Sequence, residues 1–100
     1  MKKNFALTHP KLKPARLVDA IKYEVKKYLR RERNKNLPAG ADFWDFDCRF
    51  GATQEQADVI KVAHINKHID HAVSSELPSF YLEILAKPGY KTPTMDDDPQ

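Results

Sequence analysis

The stretch Thr53-Gln-Glu-Gln-Ala-Asp-Val-Ile-Lys-Val-Ala-His-Ile-Asn-Lys-His-Ile-Asp-His-Ala-Val-Ser-Ser-Glu76 decides between two architectures. Thr53-Gln54-Glu55-Gln56 carries the spacing of a capping box and would open one helix running to Glu76. The helical wheel argues against that. At about 100° per residue, Val59, Ile60, Val62 and Ala63 centre roughly 90° or more away from Ile65, Ile69, Ala72 and Val73, so one long helix would have no single apolar face. A break near Ala63 resolves the conflict. The β-branched cluster Val59-Ile60-Val62 becomes a strand paired with residues 43–50 through the loop 51–56, and residues 65–76 become a helix.

On the N-terminal side of this stretch, Trp44, Phe46, Cys48 and Phe50 alternate with Asp45, Asp47 and Arg49, the period of a half-buried strand. Before it, Leu17, Ile21, Val25, Tyr28 and Leu29 recur at three- and four-residue spacings, the stripe of an amphipathic helix from Ala15 to about Lys35. Pro14 suits its first turn, and Arg30, Arg31 and Arg33 suit the negative end of its dipole, ahead of Asn36 and Pro38. Residues 3–8 place Phe5 and Leu7 on one face of a short strand. On the C-terminal side, Phe80, Leu82, Ile84 and Ala86 alternate with Tyr81, Glu83, Leu85 and Lys87 in a strand closed by Pro88-Gly89. The order β-α-β-β-α-β predicts an α+β fold, a ferredoxin-like two-layer sandwich with an antiparallel sheet. The alternative, with one long second helix, is β-α-β-α-β. Residues 1–90 form one domain, and residues 91–100, with Asp96-Asp97-Asp98, read as a disordered acidic tail.

Composition narrows the function classes. One hundred residues, 41% hydrophobic and 31% charged, suit a single soluble domain. No apolar run approaches the ~18 residues of a membrane helix, and the lone Cys48 fits a reducing, cytoplasmic setting. The net charge of +3 conceals a split. Residues 1–37 hold twelve Lys or Arg against Asp19, Glu24 and Glu32, a balance of +9, and the remainder carries −6. Such asymmetry points to a face that meets an anion.

The segments Phe5-Ala-Leu-Thr-His-Pro-Lys11, Asp42-Phe-Trp-Asp-Phe-Asp-Cys-Arg-Phe-Gly51 and Phe80-Tyr-Leu-Glu-Ile-Leu-Ala-Lys-Pro-Gly89 resemble a family of small bacterial proteins known as a domain of unknown function. The resemblance spans most of residues 3–90. It implies a bacterial, cytoplasmic protein and carries over no activity, cofactor or catalytic residue.

The first helix is the main functional signal. Lys22, Lys26, Lys27, Arg30, Arg33, Arg16 and Arg31 occupy the arc opposite its apolar stripe, with Tyr23 among them, Asp19 the one acid inside the arc and Glu24 at its edge. Cations so arrayed neutralise the phosphates of RNA or DNA without reading sequence, and structured RNA is the favoured ligand. The competing reading is a solvated helix whose charges serve solubility and local i,i+4 pairing. On the sheet face turned away from the helices, Phe43, Tyr81 and Leu85 form a candidate surface for a homodimer or a protein partner. Asp45, Asp47 and Glu83 on that face would repel phosphate, which disfavours base stacking there.

Catalytic and metal sites are weaker readings. His64, His68 and His71 share one side of the second helix, but the i+7 residue reaches a common ion poorly, and no metal or cofactor is expected. Cys48 falls on the inward side between Phe46 and Phe50, the place of a small core hydrophobe. Asp45 and Asp47 share a strand face at a spacing glycosidases use, yet no sugar pocket accompanies them. Three glycines scattered at 40, 51 and 89 build no phosphate-cradling loop. The expectation is a binding protein and not an enzyme.

Overall fold

The computed structural model describes residues 1–91, in the order β1 (Lys2–Ala6), α1 (Pro14–Arg33), β2 (Phe43–Gly51), β3 (Asp58–Ile60), a 3₁₀ turn (Val62–His64), α2 (Ile65–Ser74) and β4 (Ser79–Gly89). Beyond Lys91, the acidic tail lies outside the described residues. The stretch 53–76 therefore breaks as its wheel requires, and the single long helix is excluded. Cys48 faces Ile60, Arg49 faces Val59, and Phe50 faces Asp58 across the β2–β3 hairpin. Val62 does not extend the strand as expected. The His64 N–H donates to the Lys61 carbonyl at 2.9 Å, and the turn so formed packs Val62 against the core just ahead of Ile65.

Local chemistry sets the ends of the elements. Pro14 opens α1, where its missing N–H leaves no hydrogen bond unmade. The helix closes at Arg33, two residues short of the expected end, with the Asn34 N–H on the Arg30 carbonyl at 3.2 Å. In α2 the Leu77 N–H returns to the Ala72 carbonyl at 3.1 Å and the Glu76 N–H to Val73 at 3.0 Å, the paired bonds of a Schellman stop. Glu76 takes the left-handed position that such a stop demands, with φ 57°, where glycine is the usual occupant. β4 runs through Pro88 and Gly89 instead of ending before them. β1 pairs with β4 only from Ser79 to Glu83, so Pro88 sits where one edge of β4 has no strand beside it and a missing donor is tolerated.

The four strands form one antiparallel sheet in the order β1-β4-β2-β3. Both helices cover the same side. The Arg33 guanidinium lies over the Phe46 ring at 5.2 Å, and His68 of α2 packs on Phe50 at 5.4 Å. Between the layers, Phe5, Phe46, Cys48, Phe50, Phe80, Leu82 and Ile84 meet Ile21, Val25, Ile65, Ile69 and Ala72 in one buried cluster. At its centre Phe80 stacks on Phe5 at 5.3 Å and on Phe50 at 4.9 Å. Trp44, at the end of the inward row on β2, is only half-buried, and its indole N–H donates to the Lys35 carbonyl at 2.8 Å. This bond ties the exit of α1 to the start of β2.

Candidate nucleic-acid interface

The outer face of α1 follows from its sequence. Ile21 and Val25 are buried against the sheet, which leaves Arg16, Lys26, Lys27, Arg30 and Arg31 exposed to solvent. Of the three acids of this helix, Asp19 lies near Arg16 at the N-terminal end without an ion pair, and the other two are engaged elsewhere. Glu24 pairs with Lys3 of β1 at 2.7 Å, and Glu32 pairs with Lys35 beyond the helix end at 2.8 Å. Of the seven predicted cations only Lys22 has an ion-pair partner among the described residues, Asp70 of α2 at 2.6 Å. Local i,i+4 pairing is thus not what the other six side chains do, which leaves solubility as the competing explanation for the charge.

The structure divides the seven into three groups. Lys22, Lys26 and Arg33 flank a groove between α1 and the start of α2. Lys27, Arg30 and Arg31 gather around a shallow cleft with Tyr23 and Asn34. Within this second group the Lys27 ammonium lies over the exposed Tyr23 ring at 5.4 Å, and Arg31 lies over Tyr28 at 5.6 Å. Such contacts hold long side chains in place without neutralising them. Arg16 stands apart at the N-terminal end, beside Lys11 and Lys13. Those two lysines precede the helix in a Pro-bounded loop, so periodicity could not assign them to its face. Their place in the +9 segment was the available signal.

The other sheet face differs from its expected form. Tyr81 is 3% exposed, so its ring does not belong to an interaction surface. Its hydroxyl donates to Glu83 Oε1 at 2.7 Å, and this bond, ahead of burial, holds the phenol above its ordinary pKa. Arg49 lies 3.8 Å from the same Glu83 oxygen and donates to the Ala57 carbonyl at 2.9 Å. The 52–57 loop folds back so closely that a Cβ on Gly51, the cross-strand neighbour of Tyr81, would collide with the Ala57 backbone. Phe43 and Leu85 are partly exposed, at 42% and 40%. The Phe43 ring lies over Gly89, and the Lys87–Asp47 pair at 2.7 Å stands between the two apolar side chains.

The remaining candidates have structural surroundings. Cys48 is buried, and desolvation, followed by the Asp47 and Asp45 carboxylates, pushes its thiol up to about 11. It is held protonated, the reverse of what a nucleophile needs. Desolvation against the core lowers the pKa of His68, with further contributions from His64, Lys67 and His71. Among the described residues no group of three His, Cys, Asp or Glu is placed to hold a metal ion. No described helix is long and apolar enough to cross a membrane.

Residues 1–95 match a family described as a family of unknown function (DUF6172). No curated protein and no solved structure matches the chain.

Proposed function

The chain belongs to the family of unknown function DUF6172, and we propose that it is a nucleic-acid-binding protein that holds phosphates, those of structured RNA above all, on the outer face of α1. The observation carrying this reading is the set of α1 cations without an ion-pair partner among the described residues: Lys26, Lys27, Arg30 and Arg31, with Arg33 at the groove toward α2 and Arg16 apart at the N-terminal end. The five of them nearer the C-terminal half of the helix repel one another and are stabilised by a polyanion that releases its condensed counterions on binding. Binding without catalysis is part of the proposal, as is a bacterial, cytoplasmic setting that keeps Cys48 reduced. The finer architectural reading, a ferredoxin-like sandwich, rests on the β-α-β-β-α-β element order alone; the sheet order β1-β4-β2-β3 departs from it, since β4 and not β3 lies between β1 and β2. A homodimer or protein partner on the open sheet face is the second reading. It has lost Tyr81 and retains Phe43 and Leu85 on either side of an ion pair.

The experiment is charge reversal. Lys26→Glu with Arg30→Glu, checked for folding by circular dichroism, is measured by fluorescence anisotropy on a labelled RNA hairpin in low salt. Affinity should fall by at least about tenfold, as expected for two phosphate contacts turned repulsive. Unchanged affinity would refute the phosphate reading and leave the sheet-face reading in its place.

A further inference from the structure

The groove between α1 and the start of α2 contains more than a phosphate contact requires. A volume of about 310 Å³ lies between the two helices, close to the lower limit of small-ligand sites. Its lining is divided by chemistry. Leu29 and Val62 contribute apolar surface, Lys22, Lys26 and Arg33 contribute positive charge from α1, and Asn66 contributes an amide from the first turn of α2. A paired duplex presents a charged, hydrated backbone and makes no use of apolar lining. An unpaired nucleotide has the complementary division, a flat apolar base joined to anionic phosphates.

Two features fit the base in particular. The Arg33 guanidinium is braced on the Phe46 ring at 5.2 Å while it lines the groove, and planar guanidinium groups stack on bases. Asn66 offers both a donor and an acceptor, which a base edge can engage and a phosphate can use only in part. Lys22 is held toward α2 by its bond to Asp70, whose carboxylate offsets its charge, so the groove's unpaired cations are Lys26 and Arg33. We propose that this groove takes one unpaired base of an RNA strand whose flanking phosphates lie on Lys26 and its neighbours. The proposal rests on the phosphate reading of α1 and adds the ligand's secondary structure: a bulge or loop in preference to uninterrupted duplex.

The test compares two labelled RNA hairpins, identical except that one carries a single-nucleotide bulge, by anisotropy at fixed salt. The native protein should bind the bulged hairpin at least about fivefold more tightly, the lower end of what one stacked base contributes. Ala63→Leu places a larger side chain in the groove from an exposed position without altering charge, and it should erase the difference between the two RNAs. Asn66→Ala should reduce that difference independently. Equal affinity of the native protein for both hairpins, or a preference that survives both substitutions, overturns the groove assignment alone. Absence of binding to either hairpin in low salt overturns the phosphate reading, and the groove assignment with it.

Discussion

Replacing Phe80 by alanine is expected to cost roughly 3–5 kcal/mol, the range for deleting a buried aromatic side chain. Phe80 is 0% exposed, on the central strand β4, and its ring is clasped between Phe5 at 5.3 Å and Phe50 at 4.9 Å. Burying a phenyl side chain removes about 150–250 Å² from water, which at about 25 cal/mol per Å² corresponds to ~4–6 kcal/mol as an upper bound. The two stacked partners would also lose their contact, and β1 and β2 leave little room for collapse, because both pair with β4. Against a typical domain stability of about 5–15 kcal/mol, the loss is a large fraction of the whole. Equilibrium urea unfolding followed by the fluorescence of Trp44, the only tryptophan, measures it. Val59→Ala is the matched control, since Val59 is 83% exposed on β3 and its loss should stay within ~0.5 kcal/mol. A Phe80→Ala loss under about 1 kcal/mol, or a Val59→Ala loss of similar size to Phe80→Ala, would refute the packing described.

Two further outcomes follow from particular contacts. Because the folded protein holds His68 below its ordinary value of 6.5, chiefly by desolvation, the unfolded chain binds the proton more readily. The contribution of His68 to stability is therefore full above that value and is lost as pH falls from there through the lowered folded value; urea midpoints measured across this window should drop, and His68→Gln should flatten the drop. Asp70→Asn should release Lys22 for phosphate and steepen the log-log salt dependence of RNA binding by up to about one, at a stability cost of about 0–1 kcal/mol, since Asp70 is exposed. A shallower slope in Asp70→Asn would mean that Lys22 reaches phosphate only when Asp70 holds it.

The elements were legible because each has a clean period: two in Phe43–Phe50, and three to four in Leu17–Leu29. The break near Ala63 was legible because two apolar clusters pointed in different directions. Three features were not. Tyr81 and Glu83 alternate with core residues, so periodicity assigns them to the exposed face, but both are buried, the Tyr81 hydroxyl on Glu83 and Arg49 beside that carboxylate and bonded to the Ala57 carbonyl of the returning loop. The run Phe80-Tyr81-Leu82, followed after one acid by Ile84-Leu85, was the available sign of a strand buried beyond its inward row. Lys22 looked like its neighbours on the wheel, and only the approach of α2 supplies Asp70 to it. The groove at Asn66 depends on how two helices separated by residues 34–64 lie beside each other, which no local pattern encodes.

The central claim, that α1 meets phosphates, is tested most directly by the salt dependence of the native protein's affinity for a labelled RNA hairpin. Each cation that engages a phosphate contributes about 0.7–0.9 to the slope, so engagement of three or more of the six uncompensated side chains predicts a log-log slope steeper than about −2. A slope near zero, or no binding in the lowest salt, would contradict it.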